Sequence, residues 1–82
     1  MSIDKDYRVL IHHGDTLLAT YTLHTEFEDG EYVDVSSTHI SGEPNDDPIE
    51  DKAVELILEA NTANGKESIN EFTVEWHLLI SQ

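Results

Sequence analysis

The chain has 82 residues, with 18 Asp or Glu against four Lys or Arg, and a formal net charge of −14 at pH 7. A single domain of this size has a thin core, and 38% hydrophobic residues are typical of a folded domain rather than a disordered tail. The absence of cysteine excludes disulfides, thiolate zinc sites and cysteine nucleophiles. The apolar runs are too short to span a bilayer, and no signal-peptide pattern follows Met1. We therefore expect one cytoplasmic domain over residues 1–82.

The charge limits the classes of partner. The four cations, Lys5, Arg8, Lys52 and Lys66, are spread over the whole chain. Binding to nucleic acid or to an anionic membrane needs a basic surface, so both are excluded as direct partners. A small soluble domain commonly has a net charge of magnitude about 2–8, and self-repulsion beyond that costs stability. We interpret the charge as a means of binding a basic protein. The alternative is that it only provides solubility.

The first two strands are predicted over residues 7–13 and 16–25, because both are rich in strand-forming residues and a Gly-Asp turn signal lies between them. A two-residue loop places Leu10 beside Ala19. A three-residue loop shifts the pairing by one residue and brings the neighbours of Leu10 to that face instead. Because such a slip reverses every side chain, the sequence leaves both registers open.

A second hairpin is predicted at residues 28–30, read as a three-residue loop with Gly30 in the left-handed conformation. This loop pairs Leu23 with Val35, so the apolar faces of the second and third strands coincide. The agreement between turn chemistry and alternation makes this hairpin the better defined of the two.

One helix is predicted over residues 48–63. Asp47 is a suitable N-cap, Pro48 suits the first helical position, and Glu50 completes a capping box. Gly65 is the expected C′ residue that ends the helix. An amphipathic stripe with helical spacing follows the start, made of Ile49, Ala53, Leu56, Ile57 and Ala60.

The last strand alternates apolar and polar residues from Glu71 to Ile80. The element order is then β-β-β-α-β, an α+β fold with a four-stranded, mainly antiparallel sheet and one helix packed on one face. We expect the last strand beside the first, by a right-handed crossover if the two are parallel. The predicted core consists of Leu23, Val33, Val35, Ile49, Ala53, Leu56, Ile57, Ala60, Phe72, Val74, Trp76 and Leu78.

Four carboxylates recur at every fourth residue of the predicted helix: Asp47, Asp51, Glu55 and Glu59. Like charges at this spacing are mildly destabilising. Their separation of about 6 Å along the helix is of the same order as that of phosphates along a nucleic-acid strand. The row therefore predicts a surface for the arginines and lysines of a partner. The alternative is a solvated face that lacks lysine.

A second candidate surface lies at the predicted second hairpin, where four more acids cluster: Glu26, Glu28, Asp29 and Glu31. Acids also surround the start of the helix, but their spacing does not match a calcium-binding EF-hand loop. The five histidines include no helical i, i+4 pair and no zincin motif. No serine lies in a nucleophile elbow and no glycine-rich phosphate loop is present. We therefore expect no enzyme activity, no cofactor and no metal site.

The overall character resembles the small acidic proteins that phages and mobile elements use against host defences, the anti-CRISPR proteins and anti-restriction DNA mimics. The resemblance rests on size and charge and transfers no residue. It implies a non-catalytic inhibitor that binds a CRISPR effector or nuclease where nucleic acid would bind, as a monomer or homodimer in the host cytoplasm. Immunity proteins that neutralise nuclease toxins are similar in the same respects. A phage assembly subunit is the third alternative.

Overall fold

The computed structural model describes residues 2–41 and 48–81. In chain order the elements are β1 (Ser2–His13), β2 (Thr16–Glu28), β3 (Glu31–Ser41), α1 (Pro48–Ala60), β4 (Asn64–Ile69) and β5 (Phe72–Ser81). The strands form one sheet in the order β3-β2-β1-β5-β4, with every neighbouring pair antiparallel. The α+β class is confirmed, but the prediction of four strands is wrong and the element order differs accordingly.

The missed strand, β4, pairs with β5 through a tight turn at residues 70 and 71, where Asn70 has a φ of 54°. Its sequence has no apolar alternation, because it is a short edge strand with one apolar side chain, Ile69. This additional strand reverses the chain once more after the helix. The last strand does lie beside β1, as expected, but runs antiparallel to it, with Trp76 opposite Val9.

The core lies between α1 and one face of the sheet. From the helix, Ala53 and Ile57 are fully buried, as the amphipathic stripe predicts. The central strands contribute alternate residues to the same cluster. The other core members are Tyr7, Val9, Ile11, Tyr21, Leu23, Val74 and Trp76, with Ile49, Val54, Ile69, Phe72 and Leu78 packed partly buried against them.

Three predicted core residues are exposed instead: Val33 at 51%, Val35 at 39%, and Ala60. The two valines are on β3, an edge strand that pairs with a neighbour on one side only among the described residues, and α1 contacts β3 instead at His39, whose Nε2 lies 3.3 Å from Glu50 Oε1. The helix therefore does not cover them. Ala60 is the last residue of the helix, where the chain leaves the sheet.

Four β-bulges interrupt the ladders, and each adds one residue to one strand. The added residues, Leu18, Val33, Ile40 and Leu79, are all large aliphatic side chains with 42% to 54% of their area exposed. A bulged residue interrupts the alternation of side chains between the two faces of the sheet. Its apolar side chain is therefore not placed in the core by the pairing of its strand. These four residues account for most of the exposed large hydrophobic side chains of the described chain.

The bulges also determine which residues pair across each of the two hairpins. In the first, a two-residue turn pairs His13 with Thr16, and the bulge at Leu18 then brings Ile11 opposite Ala19. Each of the two registers that the sequence leaves open is therefore found, one on either side of the bulge.

The second hairpin has a two-residue turn rather than the predicted three. Asp29 and Gly30 both have positive φ, 52° and 87°, as a type I′ turn requires. A bulge at Val33 then moves Leu23 opposite Ser37 instead of Val35. The predicted pairing is thus displaced by two residues, which preserves the faces.

The helix ends earlier than predicted. Asn61 has a φ of 48°, and its backbone N–H donates to the carbonyl of Ile57 at 3.1 Å. Asn61 is therefore the C′ residue, because asparagine tolerates the left-handed conformation almost as glycine does. Gly65 is not a helix cap. The predicted N-cap, Asp47, lies outside the described residues.

Gly65 has a packing role in β4, directly opposite Trp76. A Cβ atom at this position would overlap the indole ring of Trp76, which is 2% exposed. The tryptophan can therefore lie flat against the strand only because residue 65 has no side chain.

We expect Gly65→Ala to lower the free energy of unfolding by about 1–3 kcal/mol, since the added methyl overpacks a tight core contact. Urea denaturation followed by Trp76 fluorescence measures this. Ser68→Ala, at an exposed position of the same strand, is the matched control and should change stability by less than about 0.5 kcal/mol. Equal stability of the two variants would contradict the assigned packing role.

Candidate functional site

The helix covers one face of the sheet, and the opposite face is open among the described residues. Cross-strand partners point to the same face, so the ladders group the side chains of the open face into rows. One row crosses the middle of the sheet through Arg8, with Thr22 and Thr38 on one side and His77 and Asn64 on the other.

Six carboxylates occupy the rows at the β2–β3 turn end of this open face. Asp4, Glu26 and Asp34 stand opposite one another on three adjacent strands, and Glu28 stands opposite Glu31 in the next row. Directly opposite side chains have Cβ atoms about 4.5–5.5 Å apart, and like charges in such pairs are destabilising. We call these residues the sheet acidic patch: Asp4, Asp6, Glu26, Glu28, Glu31 and Asp34.

The bulge at Val33 completes the patch. With an uninterrupted ladder after the Asp29-Gly30 turn, Asp34 would pair with Thr25, whose side chain is buried on the helix side. The added residue shifts the pairing so that Asp34 lies opposite Glu26. One irregularity in β3 thus moves a carboxylate from the core face to the open face.

No lysine neutralises the patch. Lys5 lies between Asp4 and Asp6 in the chain but points to the helix side, where its Nζ donates to Asn61 Oδ1 at 3.3 Å and lies 5.0 Å from the centre of the Phe27 ring. This position places its charge at the C-terminal end of α1, where a cation is favourable.

Among the described residues, the basic side chains that contact carboxylates are all histidines, and these contacts are ionic only when the imidazole is protonated. His24 lies at the border of the patch with Nδ1 3.3 Å from Asp6 Oδ1. Arg8, one row beyond Asp6, forms no ion pair with a described carboxylate. The patch therefore presents uncompensated negative charge to solvent.

The hairpin that bears the patch is tied to the rest of the fold from the helix side. The Tyr32 hydroxyl donates to Asn61 Oδ1 at 2.9 Å, and the Phe27 and Tyr32 rings pack edge to face at 4.9 Å. Tyr7 is buried beside them. Burial, followed by the neighbouring charge and hydrogen bond of Tyr32, raises the pKa of Tyr7 to about 12. These contacts anchor the β2–β3 hairpin, which bears most of the patch, to the residue that follows α1.

The two surfaces predicted from the sequence lie on opposite sides of the molecule. On the helix, Asp51, Glu55 and Glu59 are exposed, as the four-residue spacing predicts, and Asp47 lies outside the described residues. Of the hairpin acids, Glu26, Glu28 and Glu31 belong to the sheet acidic patch, and Asp29 is exposed at the turn. A flat partner surface can therefore contact the helix row or the sheet patch, but not both.

Sequence reasoning misses three members of the patch: Asp4, Asp6 and Asp34. The predicted first strand begins at residue 7, whereas β1 begins at Ser2. The alternation of Asp4 and Asp6 around Lys5 is a signal that could have extended the strand. No local signal places Asp34, because its face depends on the bulge.

Other parts of the described chain offer little chemistry. An open polar depression of about 330 Å³ lies at the other end of the open face, lined by His12, Gly14, Asp15, Lys66, Thr73 and Glu75. No group of three or more His, Asp or Glu in the described ranges is arranged to hold a metal ion. Within those ranges, too, no helix is long and apolar enough to cross a membrane.

In comparisons with protein-family models, curated proteins and solved structures, nothing matches this chain.

We expect Glu26→Lys to stabilise the fold by about 0.4–2 kcal/mol, because the new cation stands between two carboxylates, Asp4 and Asp34, and an opposite-charge cross-strand pair contributes about 0.2–1 kcal/mol. Glu67→Lys changes the net charge equally but lies opposite Val74, so it serves as the control and should stabilise less. Thermal melts measure both.

The same melts should show that salt stabilises the wild type, since the Debye length shortens from about 30 Å at about 0.01 M to about 10 Å at about 0.1 M salt. Glu26→Lys should gain less from salt than the wild type. An equal salt response in all three proteins would mean that the carboxylates of the patch do not repel one another measurably.

Proposed function

We propose that the protein is a non-catalytic inhibitor that binds the basic nucleic-acid-binding surface of a protein partner through its sheet acidic patch. The observation that carries the proposal is the alignment of like charges across three strands, with no lysine or arginine paired to them among the described residues. The partner class that we favour is a CRISPR effector, in keeping with the small size and acidic character of anti-CRISPR proteins.

The proposed contact offsets a repulsion that destabilises the isolated domain. Opposed carboxylates destabilise the isolated domain, and a thin core offers a small margin to offset this. A partner that brings arginines and lysines against the patch gives each carboxylate an attractive neighbour, which offsets the repulsion between the carboxylates. Complementary charge also speeds the encounter and suppresses wrong partners.

The geometry favours the sheet patch over the helix row as the main contact. The patch is two-dimensional, with carboxylates about 5 Å apart across strands and about 7 Å apart along them. It therefore offers carboxylates to several arginines at once. Each planar guanidinium can bind a carboxylate through two parallel hydrogen bonds. The described helix row is a single line of Asp51, Glu55 and Glu59 on the opposite side.

Charge reversal in matched pairs tests the proposal. Protein immobilised as bait captures its partner from host lysate, and mass spectrometry identifies it. The Glu26→Lys, Asp34→Lys double variant should then bind that partner at least about 100-fold more weakly, because like charges across an interface cost several kcal/mol. The Glu55→Lys, Glu59→Lys double variant carries the same total charge and should bind within about threefold of the wild type, since the helix row lies on the side opposite to the contact and its charges affect only long-range attraction.

Stability separates lost binding from lost folding. The sheet variant should melt at or above the wild-type temperature while its binding falls, because the cation at position 26 gains an attractive pair with Asp4 while positions 26 and 34 stay like-charged, as in the wild type. The partner's own nucleic acid should compete with the protein for binding. The identity of the captured protein distinguishes a CRISPR effector from a nuclease toxin. Wild-type affinity in the sheet variant, or simultaneous binding of nucleic acid and inhibitor, would exclude this mechanism.

A further inference from the structure

The two edges of the sheet are protected very differently. β4 is six residues long and has Lys66 and Glu67 at its centre. A short strand with central charges is a common means of preventing another strand from pairing there. The β4 edge is therefore closed to strand addition.

The β3 edge is neither short nor charged at its centre, and its protection is limited to the two bulges at Val33 and Ile40. It is 11 residues long, and its segment from Val35 to Ser41 has no Asp, Glu, Lys, Arg or Pro. Two of its aliphatic side chains, Val35 and Ile40, are 39% and 54% exposed. Among the described residues it pairs with a strand on one side only, β2. Its outer backbone groups are a template for a further strand.

The charge distribution along β3 favours a second copy of this chain over a basic partner as the strand that pairs with this edge. A basic partner would find no carboxylate in the segment from Val35 to Ser41, so the segment is not matched to the cationic surface that the acidic patch suits. A second copy brings an equally uncharged segment. The two acids of β3, Glu31 and Asp34, both lie toward its N-terminal end.

We propose that the β3 edges of two copies pair antiparallel about a two-fold axis at Thr38, so that their sheets join into one. This register aligns Ser36 with Ile40 and Ser37 with His39 of the second copy, and none of the paired residues is Asp, Glu, Lys or Arg. The pairing ends there, because the bulge at Ile40 leaves Ser41 on the open face, opposite Thr20, whereas Val35 lies on the helix side, opposite Thr25. It leaves the two Asp34 residues about 27 Å apart along the strands, eight residues at the usual rise. A parallel arrangement would instead place the two acidic ends side by side.

The pairing is isologous and closed, as in most homodimers. It leaves the open face of both copies on the same side, so two acidic patches face one direction. Five paired residues bury less than the about 1,200–2,000 Å² of stable interfaces, so the dimer is weak and forms in the micromolar range or above. Repulsion between the two acidic chains makes it stronger at higher salt.

Sedimentation equilibrium from about 1 μM to about 1 mM protein, a range that brackets weak association, tests the inference at about 0.1 M salt. The average mass should rise from the 9.3 kDa of one chain toward twice that value. The Ser36→Lys, Ile40→Lys double variant sets like charges opposite in this register and should weaken association at least about tenfold. The Ser36→Glu, Ile40→Lys variant sets opposite charges there and should associate at least as well as the wild type.

Leu79→Lys is the matched control, because Leu79 is also an exposed bulge residue, 50% exposed, but lies on β5 away from the edge. It should associate as the wild type does. Circular dichroism checks that each variant folds. Amide hydrogen exchange of the wild type gives a readout without mutation, since the segment from Ser36 to Ile40 should exchange more slowly at high than at low concentration. A mass that stays at one chain throughout, equal association of both double variants, or unchanged exchange would overturn the proposal.

Discussion

The register of β1 against its two neighbours is the constraint on which the rest of the molecule depends. In a strand, alternate side chains point to opposite faces, so one register places Val9, Tyr21 and Trp76 under the helix and leaves the acids on the open face. Bulges on the neighbouring strands maintain this separation over the long ladders. A shift by one residue would bury carboxylates and expose the core, so the core and the acidic patch are two consequences of one alignment.

The distribution of charge follows from the same separation. The helix and the open face both carry carboxylates, but only on the sheet are they opposed across strands without a lysine between them. Lys5, the nearest cation in the chain, is held on the other side by Asn61 and the Phe27 ring. The local repulsion is therefore a property of the fold rather than of the composition, and it gives the open face its proposed role.

The predictions from the sequence succeed where a signal is local and periodic. The helical spacing of Ala53 and Ile57 and the alternation through Val74 and Trp76 identify buried faces correctly, since each reflects the geometry of a single element. They fail where one residue changes the pairing. Val35 is apolar and alternates correctly, yet it lies on an edge strand that has a neighbour on one side only among the described residues, and it is left exposed. Gly65 has the chemistry of a helix cap but serves as the contact surface of Trp76.

Local pattern is sufficient for the α+β class, the helix and its exposed acidic row, and the strong negative charge, because these depend on composition and on neighbours within a few residues. Tertiary packing alone sets the fifth strand, the burial of Tyr7 and the assembly of Asp4, Glu26 and Asp34 into one row. The physical reason is that cross-strand neighbours are distant in the chain. Their pairing depends on bulges such as the one at Val33, whose position is selected by the packing of the whole sheet rather than by the residues beside it.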